Sequence, residues 1–492
     1  MIRLLLPLVI LLPLLGGAIL PLLRLKEKKR LHAYVLAVLL AEAAAVTALL
    51  AAPAGTELRL FAMSETLVLA LRMDGISKLF LAVAAYGFLV TAVYGFRYLA
   101  HGEREDSFYV WFLLSLGGLA GMDLARNLIT MYLFFEMITL LSMPLVLHDR
   151  TRESIRAALK YLFYSVAGAF LGLAAIFFLA RYSTTLDFNP GGNLDPAMRA
   201  GHETLLRVVI FLGVIGFGAK AGLYPLHGWL PTAHPVAPAP ASAVLSGIIA
   251  KAGVLAILRL VYYCVGPDFL RGTWVQQAWL GLALLTVFMG SMMAYREKVF
   301  KKRLAYSSVS QISYVLTGLF LLTPDGLLGG LLQVVFHATV KLCLFMAAGS
   351  FIVNVGKHRV DELRGYGRVM PKTLWAFTFA ALSLVGIPPA SGFVSKWYLA
   401  AGALNSGLQV YNWLAPVILL VSALLTAGYL LPITIDGFFP GGDCPPLPPK
   451  NKEGGPLMWV PIALLAALSI LFGICSGPLV RCLRTLVQPL FG

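Results

Sequence analysis

Six ionisable residues lie inside stretches that are otherwise apolar. Glu136 sits in NLITMYLFFEMITLLSMPLVL, Lys220 in VVIFLGVIGFGAKAGLY and Lys251 in AVLSGIIAKAGVLAILRLVYY. His337 and Lys341 share LLQVVFHATVKLCLFMAAG, and Lys396 sits in ASGFVSKWYLAAG. A charge at the centre of a bilayer costs about 2.5–3.5 kcal/mol, so several in one chain need a reason. Taken singly, each has a bland explanation: a lysine in a structural pair, or a histidine satisfied within a core. Taken together they form the parts of a proton relay. Lysine suits that chemistry because burial and neighbouring cations bring its proton within reach of release. A carboxylate close by would hold the lysine charged, and withdrawing it would free the proton. Glu136 is the expected partner of Lys220, as an ion pair between two spans. His337 precedes Lys341 by one helical turn on the same face, so the two can exchange a proton.

The elements that must position these residues follow from hydropathy. The chain has 492 residues, 59% of them hydrophobic and 13% charged. A soluble domain averages about 25% charged residues, so a water-soluble globule, a disordered chain and a coiled coil are excluded. Apolar runs long enough to cross a bilayer of roughly 30 Å recur from end to end. They fall at residues 3–24, 31–52, 76–98, 107–124, 126–147, 158–181, 205–230, 239–263, 275–295, 303–323, 326–354, 372–402, 413–436 and 458–480. The expectation is therefore an all-α polytopic membrane protein of about fourteen spans, because unpaired backbone groups are too costly in lipid. The N-terminal run is expected to be the first span rather than a signal peptide.

At about 1.5 Å of rise per residue, Glu136, Lys220, Lys251 and Lys341 come roughly 15–22 Å into their spans, near one plane at mid-membrane. Lys396 should lie nearer the outer surface. Two spans look broken. The seventh runs into AGLYPLHGWLPTAHPVAPAPAS, and the twelfth contains VGIPPASGF. Proline removes a helix donor and clashes with the preceding turn, and paired interruptions point to a transport path. His227 and His234, within the first break, are auxiliary channel candidates facing the cytoplasm. Arg259 and Lys78, near span ends, are expected to snorkel. Glu42, inside the second span, has no recognised partner.

The net charge of +16 sorts into loops rather than marking a nucleic-acid binder. Lys and Arg crowd 24–30, 97–104, 150–160, 296–303, 357–372 and 441–457. The side rich in these residues is expected to be cytoplasmic, with both termini outside and a bacterial or archaeal plasma membrane as the expected location. The five cysteines, Cys264, Cys343, Cys444, Cys475 and Cys482, form no CxxC pair. No disulfide framework, metal site or bound cofactor is expected.

These residues stand in stretches that resemble a known family. The stretches are DGISKLF (74–80), LFFEMITLLSMPLVLH (133–148), LKYLFYSVAGA (159–169), the long run 218–259, KRLAYSSVSQISYV (302–315), FHATVKLCLF (336–345) and GIPPASGFVSKW (386–397). The chain resembles the antiporter-like, proton-translocating subunits shared by respiratory complex I (NADH-quinone oxidoreductase), membrane-bound hydrogenases and Mrp-type Na+/H+ antiporters.

The resemblance implies N-terminal helices over 1–106 and two inverted five-helix repeats over 107–263 and 264–436, with discontinuous helices 7 and 12. A Pro/Gly loop and a last helix would fill 437–492. It implies Glu136 paired with Lys220, Lys251 as a bridge, His337 with Lys341 as the second relay, and Lys396 at the outer exit. One branch of the family has glutamate at the position of Lys396, and another has a long lateral helix beyond the last span, which is not expected here. The implied role is proton translocation, with sodium exchange a variant, in a multisubunit complex whose redox module sits in partner subunits. An Mrp-type antiporter without redox coupling and a structural spacer are the alternatives.

Overall fold

In the computed structural model, the described residues are 2–62, 64, 67–100, 102–441, 447 and 452–491. Cys444 and most of the Pro/Gly loop therefore lie outside them. The chain folds into a helical bundle. Its helices are α1 (Ile2–Leu23), α2 (Lys28–Ala51), α3 (Gly75–Tyr98), α4 (Glu105–Asp123), α5 (Leu128–Val146) and α6 (Arg152–Tyr182). Next come α7 (Glu203–Ala221), α8 (Leu230–Val236), α9 (Ala239–Val265), α10 (Trp274–Arg296), α11 (Phe300–Phe320) and α12 (Pro324–Val355). The last are α13 (Pro371–Val385), α14 (Ser391–Leu404), α15 (Tyr411–Phe438), α16 (Pro456–Ile474) and α17 (Ser476–Val487).

Eleven of the described helices are long and apolar enough to cross a membrane. The fourth and tenth expected spans fall on α4 and α11, and the twelfth on the pair α13 and α14. Starts are set by capping side chains: Asp74, Asn127, Thr151 and Thr323 each accept from a backbone N–H three residues on. Both proline breaks are present. α7 stops at Gly222 and resumes as α8, and α13 stops at Gly386 and resumes as α14. Gly222 and Gly386 have φ of 79° and 93°, a left-handed conformation that glycine adopts without strain.

Burial sorts the helices into two classes. The most apolar stretches of α9 and α12 are wholly enclosed by other helices, while those of α1, α2, α15 and α16 bury a third or slightly more. Large side chains such as Leu22, Phe163, Phe177 and Leu424 point outward, as suits a lipid-facing surface. The two enclosed helices carry Lys251, His337 and Lys341.

Helices approach closely through small residues, the usual device where lipid gives no hydrophobic drive to pack. A methyl group on Gly168 of α6 would stand 2.4 Å from the carbonyl oxygen of Gly216 on α7, and one on Gly216 would stand 2.3 Å from that of Gly168. Backbone on each side cannot give way. Gly168→Val is therefore expected to push α6 from α7 and to cost about 1–3 kcal/mol. Thermal unfolding of the purified protein checks this, and an unchanged midpoint would contradict the tight crossing.

The segment between α2 and α3 is an antiparallel hairpin of β1 (Thr56–Ala62) and β2 (Val68–Met73), with Thr56 opposite Met73 and an irregularity between Arg59 and Phe61. Hydropathy marked this segment only as a gap between spans. Beyond α16 the chain turns at Cys475 into the amphipathic α17, so the last apolar run ends earlier than 480.

Candidate functional site

Lys251 is the centre of the arrangement. It follows a π-helical turn, Leu245–Ile249, inside α9. Wide turns of this kind are rare and leave carbonyls free of their α-helical partners. Lys251 uses two of them: Nζ donates to the carbonyl of Ser246 at 3.3 Å and to that of Gly247. Its third contact is His337 Nδ1 on α12, at 3.0 Å. With Lys251 donating, Nδ1 is the acceptor and Nε2 carries the ring hydrogen. That Nε2 is buried and has no hydrogen-bond partner among the described residues. The contact joins Lys251 to His337, whereas sequence spacing had suggested His337 with Lys341.

Lys341 lies one turn further along α12. Its Nζ donates to the Leu304 carbonyl at 3.0 Å and to Ser307 Oγ at 2.8 Å, and the Tyr429 hydroxyl donates to the same Ser307 oxygen at 2.8 Å. Lys396, half-buried on α14, donates to the carbonyls of Leu384 (2.7 Å) and Val385 (2.5 Å). Those carbonyls are at the end of α13, where helical partners run out. Gly386 makes room for the lysine, since a methyl there would meet Lys396 Cδ at 2.9 Å.

Lys220 is fully buried in the last turn of α7, where the helix dipole favours a cation. Its Nζ donates to the Phe135 carbonyl at 2.7 Å and stands 4.0 Å from the Phe135 ring centroid. Glu136 is the next residue on α5 and is half-buried, with Tyr132 and Lys220 the groups that act on it. Among the described ion pairs, none within 4.0 Å joins Glu136 to Lys220. The structure places the two side by side but apart.

Sequence reasoning missed the polar lining between these lysines. Ser307, Ser308, Ser310, Gln311, Ser313 and Thr317 on α11 are all buried. Ser308 bonds Ser246 at 2.6 Å, and Ser310 and Ser422 both meet Ser291. Gln333 donates to Gln311 at 2.9 Å and accepts from Ser395 at 2.6 Å, beside Lys396. The signal was the composition of LAYSSVSQISYVLT: hydroxyls and an amide on every face of a helix with no solvent side.

One further expectation is corrected. Arg259 does not snorkel. It is 2% exposed and grips Asp74 with both guanidinium nitrogens, at 2.5 and 2.9 Å, with a further bond to Ser77. Phe188 and Tyr263 flank it at 4.8 and 4.6 Å. Burial alone would raise the Asp74 carboxyl; the Arg259 charge, its hydrogen bonds and the Ser77 N–H outweigh that and hold it below the usual range. Lys78, half-buried, donates to the carbonyls of Leu50 and Ala52 at the end of α2. Glu42 is buried, and neither carboxylate oxygen has a partner among the described residues. His227 stacks on Tyr224, while His234 is fully buried against Phe345. Among the described residues no cluster of three or more His, Cys, Asp or Glu suits a metal, and Cys264, Cys343, Cys475 and Cys482 are free thiols.

A family model described as NADH:quinone oxidoreductase/Mrp antiporter, TM, matches residues 125–426. The chain is 34% identical to the NADH-quinone oxidoreductase subunit N of Desulforudis audaxviator (strain MP104C), over 82% of this chain and 81% of that one. It is 31% identical to a Na(+)/H(+) antiporter subunit of Bacillus subtilis (strain 168), over 81% and 78% of the two chains. Its fold is similar to that of a chain in the membrane-bound sulfane sulfur reductase, an archaeal respiratory membrane complex. That match has a TM-score of 0.85 and 22% identity, and covers 99% of this chain and 97% of the other.

Proposed function

The chain belongs to the NADH:quinone oxidoreductase/Mrp antiporter membrane family, and on that premise we propose that it translocates protons as one membrane subunit of a multisubunit energy-converting complex. The observation that carries this reading is the Lys251–His337 contact of 3.0 Å. It is sealed inside the two most enclosed helices, with Lys341 one turn beyond it. A charged Lys251 donates to a neutral His337. Moving that proton onto Nδ1 yields an imidazolium and a neutral lysine, and the hydrogen on Nε2 is then the one released toward Lys341. The serine, tyrosine and glutamine hydroxyl and amide groups of α11, α12 and α15 continue the polar path to Lys396 at the outer exit.

Glu136 acts from the side. Drawn to Lys220 it holds the lysine charged; apart from it, as in this structure, Lys220 is left with a carbonyl and an aromatic face. The fourteen crossings, the inverted repeats over 107–263 and 264–436, and the outside termini belong to the same proposal. The breaks at α7/α8 and α13/α14 and the cation-rich loops support them. The chain binds no cofactor of its own in this reading, and a peripheral redox module in partner subunits drives it. The B. subtilis relative supports a second reading, an Mrp-type antiporter subunit that exchanges sodium for protons without redox coupling.

The test is proton flux into proteoliposomes holding the native complex, driven by an imposed potassium diffusion potential and followed with a lumenal pH dye. Glu136→Ala and Lys220→Ala are each expected to lower flux about tenfold or more in correctly assembled complex. Wild-type flux in either assembled variant would remove the switch. Identifying the co-purifying subunits decides between the redox-driven and Mrp readings.

A further inference from the structure

A relay needs a way in as well as a way along. A cavity of about 560 Å³ opens on the side where the cation-rich loops gather. Its wall carries Glu103, Arg104, His148, Asp149 and His358, from the loops after α3, α5 and α12. Its floor is the linker Pro235–Pro238, which joins α8 to α9.

Two groups flank that floor. Lys301, in the first turn of α11, is 7% exposed; its Nζ donates to the Ala237 carbonyl of the linker at 2.5 Å, with Asp149 the carboxylate that acts on it. His234, on the last turn of α8, is fully buried, and neither ring nitrogen has a hydrogen-bond partner among the described residues. Its ring lies 4.9 Å from the Phe345 ring, centroid to centroid, and Lys341 Nζ lies 6.0 Å from that same Phe345 ring. Ser242 pins the segment by donating to the carbonyls of His234 and Ala237.

Leaving a buried polar group unpaired is costly. A buried imidazole with both nitrogens unpaired therefore calls for a role other than packing. The charged groups that act on His234 are Lys301, on the cavity side, and Lys341, on the relay side. Burial first, and then the two lysine charges, disfavour the charged ring.

We propose that the chain loads protons from the cytoplasm through this cavity, with Lys301 as the gate on the Pro235–Pro238 linker and His234 as the carrier to Lys341. This rests on the proton-translocating reading above. It adds Lys341 as a point where a cytoplasmic proton joins the row, beyond the Lys251–His337 step. Each step is a simple proton transfer: Lys301 or cavity water gives a proton to His234, and His234 gives one to neutral Lys341.

The same proteoliposome assay tests it. His234→Ala is expected to lower flux about tenfold or more, and imidazole added on the cytoplasmic side is expected to restore it by diffusing into the vacated space. Lys301→Met is expected to lower flux to a similar degree without imidazole rescue. Because rescue requires an assembled complex, a misfolded variant cannot mimic it, and His234→Gln gives a second variant of closer shape. Undiminished flux in His234→Ala and His234→Gln, or a loss that imidazole leaves untouched, overturns the inlet. Absence of flux in the wild type overturns the reading of function instead. Loss in His234→Ala with normal flux in Lys220→Ala keeps the inlet and removes the Glu136–Lys220 switch.

Discussion

Lys251→Met is expected to abolish proton flux while leaving the complex assembled. Methionine keeps the unbranched length of the lysine chain and removes its charge. The enclosed position gains from losing a buried cation, and it loses the donor to the Ser246 and Gly247 carbonyls and to His337. These effects oppose each other, so stability should stay within about 2 kcal/mol of wild type. Flux should not follow stability: without Lys251 the row has no group between the first half of the bundle and His337, and a drop of at least about a hundredfold is expected for a lost acid–base step. His337→Gln should be as severe, and the double variant no worse than either single one, since residues that act as a unit are not additive. Near-wild-type flux in assembled Lys251→Met would remove the central step. The measurements are dye-reported flux and thermal unfolding on the same preparation.

Arg259→Met is expected to have the largest effect on stability. The guanidinium is buried between Phe188 and Tyr263, and its two bonds to Asp74 fix the start of α3 against the end of α9. Removing one partner of a buried pair leaves the other uncompensated and costs about 3–5 kcal/mol. Asp74→Asn in the same chain should recover part of that loss, because the orphaned charge is gone. The pair also sets a sign for pH. Asp74 is depressed in the folded protein, so its contribution is present above the ordinary carboxylate pKa and is lost only as pH falls through the lower folded value. Unfolding midpoints of the two single variants and the double variant check this. Equal midpoints for Arg259→Met and the double variant would show that the Asp74 charge is not what the arginine offsets.

The helical bundle and the elements that carry the buried charges were legible because lipid imposes one strong rule, a continuous apolar run, and because Pro388–Pro389 and the prolines from Pro225 to Pro240 break it in only two places. Glu136, Lys220, Lys251, His337, Lys341 and Lys396 stood out by the same rule, as charges in the wrong solvent. Their partners did not stand out, for a physical reason. Lys251 meets His337, which is 86 residues away, and Lys220 meets a carbonyl on α5, so neither contact has a sequence period. Arg259 looked like a snorkelling end residue because its partner Asp74 lies 185 residues earlier. The hairpin Thr56–Met73 did not stand out because its strands, seven and six residues long, are too short to read as spans.

The acceptors chosen by the buried lysines have one further consequence. Lys220, Lys251, Lys301, Lys341 and Lys396 each donate to main-chain carbonyls, those of Phe135, Ser246 and Gly247, Ala237, Leu304, and Leu384 with Val385. A carbonyl is supplied by every residue type. The electrostatic cradle of each cation is thus written in backbone shape rather than in side-chain identity, and substitution scanning at those acceptors will pass over it. Vibrational spectroscopy will not: a proton leaving any of these lysines should shift the amide I band of one or two isotopically marked peptide groups.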